Sequence, residues 1–198
     1  MTKENTLDTT IERLVELMDL EVIEENIFRG ESQDIGSPQV FGGQVLGQAL
    51  MAASRTVEGR LVHSLHAYFL RRGDFEAPIV YEVDRARDGG SFSNRRIIAV
   101  QHGEQIFNMT ASFQKPEDGL EHQSKMPEVK PPNELEDLVD LIKPEWVEQL
   151  PGRIKRMLTR RRPFEVRPVE IPQFLTNQTG EPIKHSWIRA NGKVPDHE

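Results

Sequence analysis

The segment Val40-Phe41-Gly42-Gly43-Gln44-Val45-Leu46-Gly47-Gln48-Ala49-Leu50-Met51-Ala52-Ala53 constrains the fold of this chain more than any other stretch. From Gln44 onward its periodicity is helical: Val45, Ala49 and Ala52/Ala53 form one stripe, with Leu46 and Leu50 alongside. The segment is apolar or small nearly all round, the pattern of a buried helix rather than a surface one. Gly43 and Gly47, four apart, share a face on which a strand or a ligand can approach the backbone closely. Glycine inside a helix costs about 1 kcal/mol against alanine, so packing or binding must offset it. Such a helix has to be covered on most sides.

The residues beyond this helix supply the cover. After Gly59 the period changes to two. In Leu61–Leu70, alternation places Leu61, His63, Leu65, Ala67 and Phe69 on one face, and Val62, Ser64, His66, Tyr68 and Leu70 on the other. Pro78–Arg87, Ser91–Gln101 and Gln105–Gln114 read as three further strands, turned by Asp88-Gly89-Gly90 and by His102-Gly103. A short strand is expected within Asn26–Asp34. An amphipathic helix opens the chain, where Thr9 and Glu12 fit a capping box before Ile11, Leu14, Val15 and Met18. The predicted class is α+β, an antiparallel sheet wrapped round a central helix.

Composition then divides the chain. Residues 1–115 hold 9 of the 13 aromatics, whereas 116–198 hold 11 of the 13 prolines, which remove backbone donors and limit regular structure. The expected organisation is a packed domain at 1–115, a proline-rich, partly helical linker at 116–162, and the first strands of an incomplete second domain at 163–198. Helices are expected at Glu134–Ile142 and Glu145–Leu158, and strands at Phe164–Ile171 and His185–Ala190. The basic run Arg153, Lys155, Arg156, Arg160, Arg161, Arg162 reads either as a solvated helix end or as a phosphate contact.

Several function classes are excluded. With 25 basic and 32 acidic side chains the net charge is −7, which argues against a nucleic-acid partner. No run approaches the roughly 18 apolar residues of a membrane span, and the lack of an apolar leader at Met1 makes a cytoplasmic location the expectation. The absence of cysteine removes disulfides, thiolate metal sites and a Cys nucleophile. There is no glycine-rich phosphate loop, nucleophile elbow or His-Glu-x-x-His motif, and no cofactor is expected. His63 and His66, three apart on a strand, are expected on opposite faces, so no shared metal site is predicted.

The candidate site residues form three groups. His63, on the Leu65 and Phe69 face, is either a hydrogen-bonded core or rim histidine or a polar group in a substrate cleft, where imidazole can act as a base; His66 is the weaker candidate. Gly42, Gly43 and Gln44 open the buried helix, where free backbone N–H groups favour an anion or a developing oxyanion; the alternative is a glycine bend into the helix. Ser91, Phe92, Ser93, Arg95 and Arg96 open a strand with hydroxyls and two arginines pointing to opposite faces. Either one arginine binds phosphate or both are ordinary surface groups.

Taken in order, five motifs carry a resemblance: Val40–Val45, Leu61–Leu70, Arg87-Asp88-Gly89-Gly90-Ser91-Phe92-Ser93, Met109–Gln114 and Trp187-Ile188-Arg189-Ala190-Asn191-Gly192. From about Leu20 to Asp196 the chain resembles acyl-CoA thioesterase II, the TesB-type tandem hot-dog thioesterases. The resemblance implies two hot-dog domains that hydrolyse fatty acyl-CoA to free acid and coenzyme A. It also implies a catalytic Asp, Thr (or Ser) and Gln in the second domain, beyond Glu198, so that none maps onto a residue here. Acyl-CoA is the implied ligand, a homo-oligomer the expected assembly, and weak or absent activity the expectation for this polypeptide alone. The competing reading is a non-catalytic module that binds acyl-CoA or pairs with a partner.

Overall fold

The structure, a computed structural model, describes residues 11–35, 37–142, 147, 148, 151, 152, 155, 162–176 and 179–194. The chain forms two compact units, Glu16–Leu120 and Met1–Val15 with Glu121–Glu198.

In the first unit the buried-helix segment becomes α2, Gly42–Ser54, which buries Gln44, Val45, Gln48, Ala49, Ala52 and Ala53. It follows α1 (Ile11–Met18) and a hairpin of β1 (Glu21–Glu24) and β2 (Ile27–Gly30). The sequence reading missed β1. Its four residues are all exposed, so no alternation marks them, and the signal lies instead in Asn26, which takes the turn at φ 62°. Four longer strands complete the sheet: β3 (Leu61–Phe69), β4 (Ile79–Asp88), β5 (Phe92–Gln101) and β6 (Glu104–Gln114). All neighbours are antiparallel, in the order β1-β2-β4-β5-β6-β3. Helix α2 lies against β2, β3, β4, β5 and β6. Their inward residues, among them Tyr81, Ile97, Ala99, Phe107, Met109 and Phe113, are buried with the alanines and Val45 of the helix. The predicted helix wrapped in a sheet is therefore the architecture of this unit.

Three β-bulges alter which side chains face the helix; one, in β6, adds Ile106 beside the inward Phe107, and the other two lie in β3 and β4. In β3, Val62 pairs with Phe113 and Ser64 with Ser112, leaving His63 as the extra residue. Leu65, Ala67 and Phe69 still pair with the inward Ala111, Met109 and Phe107, but Leu61 now pairs with outward-facing Gln114. The alternation predicted across Leu61–Leu70 is thus broken at His63, because a bulge adds one residue to a period of two. In β4, Asp84 pairs with Arg96 and Arg87 with Asn94, so Arg85 and Ala86 together face Arg95. That bulge turns Asp88 inward, opposite the buried Ser93.

The second unit holds an antiparallel pair, β7 (Phe164–Pro168) and β8 (Ser186–Ala190), with a short helical turn α3 at Gln173–Thr176. Glu165 is held by Arg167 and by Arg189 Nε at 2.7 Å. Arg167 also donates to the carbonyls of Pro132 and Leu135 at 2.7 and 2.8 Å. The Trp187 indole donates to the Lys130 carbonyl at 2.9 Å. The helix expected over Glu134–Ile142 is absent: a 3₁₀ turn at Pro132–Glu134 and further turns take its place. There the Leu138 N–H bonds to the Val166 carbonyl rather than to a helical neighbour. Of the expected helix Glu145–Leu158 only Val147, Glu148, Pro151, Gly152 and Lys155 are described, and of the basic run only Lys155 and Arg162; the rest lies outside the described residues.

Candidate active-site cavity

A cavity of about 470 Å³ opens where α2 begins. Val40 and Val45 from the helix entry, Phe69 and Leu70 from the end of β3, and Ile106 and Phe107 from β6 make its apolar walls. Its remaining lining is Gln39, Gly42, Arg71, Arg72 and Gly73. The loops meet because the Val40 N–H donates to the Gly73 carbonyl at 3.0 Å, while the N–H groups of Leu70 and Arg71 both donate to the Ile106 carbonyl. Size and lining match those of small-molecule sites, which are largely apolar with a few placed polar groups.

Gly42 is the predicted site residue that lines this cavity. A Cβ there would stand 3.0 Å from the Phe69 ring, so the missing side chain lets the ring close the wall. Gly43 lies under the Phe41 ring and Gly47 against Met18, so the face they share is covered by side chains of this unit rather than by a strand. Gln44 is buried; its carboxamide donates to the Glu31 carbonyl at 3.1 Å and accepts from the Gln33 N–H at 3.4 Å. It anchors the chain after β2. One turn on, the Gln48 amide donates to the carbonyls of Leu17 and Glu31 and accepts from the Tyr81 hydroxyl at 2.7 Å. Burial pushes the Tyr81 phenol up.

The arginine-bearing strand start serves the opposite end of the helix. Arg95 is fully buried and all five of its N–H donors find acceptors. They are Thr56 Oγ1 and carbonyl, the Arg87 and Asn94 carbonyls, and Asp88 Oδ1 at 2.6 Å. Its guanidinium therefore clasps the chain just past the C-terminus of α2, where a cation is favoured, and has no donor left for a phosphate. Ser93 is buried beside it and donates to Asp88 at 2.8 Å. The Arg95 hydrogen bond, then that from Ser93, hold the Asp88 carboxyl below the ordinary carboxylate range. Ser91 donates to Glu117 at 2.8 Å, and the exposed Arg96 pairs with Asp84 at 2.8 Å. None of Ser91, Phe92, Ser93, Arg95 and Arg96 lines the cavity.

His63 is also moved off the site. Its Nε2 lies 2.9 Å from Ser112 Oγ and its ring meets Phe92 edge-on at 5.7 Å. Both partners lie on the face turned away from α2, opposite the buried Phe113 and Ser93. His66 pairs with Thr110 on that same outer face, its ring 4.7 Å from Tyr68. The bulge overturns both the placement of His63 with Leu65 and Phe69 and the expectation that the two histidines face opposite ways. Among the described residues, no group of three or more His, Asp or Glu side chains is placed to hold a metal.

What the sequence reading missed is the cationic side of the cavity. Arg71 and Arg72 come directly after the apolar end of β3, and that abrupt change from Phe69-Leu70 to Arg71-Arg72 was the available signal.

Residues 29–114 match the family model for the acyl-CoA thioesterase N-terminal domain. The chain is 42% identical over 186 residues to acyl-CoA thioesterase 2 of Haemophilus influenzae, covering 93% of this chain and 65% of that protein. The crystal structure of the acyl-CoA thioesterase II TesB2 of Mycobacterium marinum superposes with a TM-score of 0.68 at 41% identity. It covers 93% of this chain and 62% of its own. A protein of unknown function with a hot-dog fold from Alicyclobacillus acidocaldarius, 21% identical, aligns over 90% of this chain and 62% of its own with a TM-score of 0.68 and shows the fold alone. The chain thus spans a little under two thirds of the length of these relatives. A helix wrapped by an antiparallel sheet, with a cavity at the helix start, is the hot-dog arrangement, and over residues 29–114 this chain matches the N-terminal domain of acyl-CoA thioesterases.

Proposed function

We propose that this chain binds the acyl part of a fatty acyl-CoA in the cavity at the start of α2, as part of a thioester hydrolase. The carrying observation is the cavity itself: six apolar walls around about 470 Å³, next to a helix N-terminus whose first N–H groups lack intrahelical acceptors. In the reaction water adds to the thioester carbonyl and the C–S bond breaks. The acid is released, and the leaving thiolate of coenzyme A takes up a proton. The amides of Gly42 and Gly43 are the candidates to receive the oxyanion. This reading is cytoplasmic, with a soluble thioester as substrate; no described helix is long and apolar enough to cross a membrane.

One observation favours the second reading, binding without turnover. Among the described residues that line the cavity there is no carboxylate, hydroxyl or imidazole to activate water. The base must then come from groups other than these, and the polypeptide alone is expected to hold acyl-CoA and release thiol slowly. Strand β3 supports an assembly partner: it is a sheet edge, and Leu61, Tyr68 and Phe69 on it are exposed. A second copy pairing there would give the homo-oligomer; sedimentation showing a monomer throughout would remove that part of the reading.

Titration with acyl-CoA of increasing chain length tests the proposal. Each methylene buried contributes about 0.8 kcal/mol, or about fourfold in affinity, until the cavity is full. Coenzyme A binding as tightly as decanoyl-CoA would refute an acyl pocket. Thiol release at an enzyme-like rate would refute the expectation of slow turnover.

A further inference from the structure

The cavity is apolar except on one side, and there the charges are unevenly partnered. Arg71 pairs with Glu104 at 3.1 Å and donates to the Gln105 carbonyl at 2.7 Å. The nearby Asp74 is also engaged, accepting from the Glu76 N–H at 2.9 Å and lying 3.0 Å from His102 Nε2. Arg72 lines the same cavity, is exposed, and makes no hydrogen bond or ion pair with any described residue. The carboxamide of Gln39, also in the lining, is likewise unpartnered among the described residues. A free guanidinium and a free amide therefore stand beside an apolar chamber, with the carboxylates of Glu104 and Asp74 already taken. Meanwhile Arg95 has no spare donor and Arg96 sits away from the cavity.

We propose that Arg72 is the specificity-determining cation of this site and binds an anionic oxygen group of the ligand, with Gln39 as a neutral second donor. The inference rests on the acyl-binding reading and adds to it. The chamber takes the apolar chain, and the guanidinium, whose planar fork suits phosphate and carboxylate oxygens, selects ligands that carry such a group next to it. Two sources share this chemistry: a phosphate of coenzyme A, or a terminal carboxylate on a dicarboxylic acyl chain.

Calorimetric titration of the full chain and of Arg72→Gln distinguishes them, with three probes: decanoyl-CoA, the uncharged S-decanoyl-pantetheine, and the pantetheine thioester of a ten-carbon dicarboxylic acid. Arg72 touches no described side chain as a hydrogen-bond or ion-pair partner, so Arg72→Gln should keep the wild-type melting temperature. The expected result is a loss of about tenfold for one anionic probe, with S-decanoyl-pantetheine unchanged. Loss on decanoyl-CoA assigns the phosphate; loss on the dicarboxylic thioester assigns the carboxylate. The lost affinity should be the salt-sensitive part of wild-type binding, a readout that a structural role would not move. Arg72→Lys should restore part of it. If wild type and Arg72→Gln bind all three probes equally, Arg72 is no anchor, although the acyl pocket stands. If wild type binds none of them, the acyl-binding reading and the anchor fall together.

Discussion

Gln48 offers the sharpest test of how the helix start is held. Its side chain is fully buried, and its amide donates at 2.7 Å to Leu17 and 2.9 Å to Glu31 while accepting from Tyr81 at 2.7 Å. The Leu17 carbonyl belongs to the last turn of α1, where helical carbonyls lack intrahelical donors. Gln48→Met keeps the length and removes all three bonds. The Glu31 carbonyl retains the Gln44 donor at 3.1 Å, so two buried groups lose this side-chain partner: the Leu17 carbonyl and the Tyr81 hydroxyl. At about 1–3 kcal/mol for each buried group left unsatisfied, less about 1 kcal/mol for the added apolar burial, the net loss is about 1–5 kcal/mol.

With a urea m-value of about 2 kcal/mol/M, that loss moves the unfolding midpoint down by about 0.5–2.5 M. Far-UV circular dichroism is the assay, because most strand and helix of the described residues lies in Glu16–Leu120. Tyr81→Phe alone should cost about 1–2 kcal/mol, since it leaves the Gln48 oxygen without its donor. In the Gln48→Met background the same change removes an orphaned hydroxyl and should be neutral or stabilising, giving a coupling of at least about 1 kcal/mol. A Gln48→Met midpoint within about 0.3 M of wild type, or equal costs for Tyr81→Phe in both backgrounds, would refute the reasoning.

Three further outcomes are expected. Gly42→Ala sets a Cβ 3.0 Å from the Phe69 ring; the ring, more than half exposed, yields into the cavity. Decanoyl-CoA affinity by calorimetry then falls about three- to tenfold, while the urea midpoint stays within about 0.5 M. His63→Ala changes that affinity less than about twofold, because the imidazole lies on the far face of the sheet; a loss of tenfold would return it to the site. Asp88 contributes to the pH dependence, as do Asp74, Glu165 and Glu170, which are shifted the same way. The folded pKa of Asp88 lies below the unfolded value of about 3.9, so its stabilisation is complete above that value and is lost as pH falls through the folded one. Urea midpoints tracked from pH 7 to 2 should drop below about pH 4, and Asp88→Asn should be less stable at pH 7 and show a shallower acid drop.

The helix and the long strands were legible because their periods are clean: Val45, Ala49, Ala52 and Ala53 repeat at helical spacing, and Phe107 to Phe113 alternate without a break. The site was legible only at Gly42. Alternation counts every residue, so it misplaces the side chains on the far side of a bulge, and the bulges in β3 and β4 lie beside candidate residues. One moved His63 to the outer face, and the other brought Asp88 inward to hold Arg95. Arg72 escaped notice for a different reason. It sits in a loop, where no period applies, and its part is defined by a cavity assembled from three distant stretches of chain.

The two ends of α2 explain why the polar residues of this unit divide as they do. Thirteen residues span about 20 Å, so a group at one end cannot serve the other. At the C-terminal end the carbonyl of Thr56 receives Arg95, whose charge Asp88 balances. Every donor of Arg95 is used, and the buried part of the conspicuous Asp88–Arg96 motif closes the helix against the sheet. At the N-terminal end Phe41 provides no side-chain cap, so the first amides stay available, and they sit beside the cavity with the unpaired Arg72. A side-chain cap or an added carboxylate at that end would stabilise the isolated helix by about 1 kcal/mol, yet it would occupy the donors a ligand needs. Phe41 at the cap position and glycine at 42 and 43, in place of a capping side chain and an acidic first turn, leave these amides free and support the proposed binding at this end rather than in the arginine-rich hairpin.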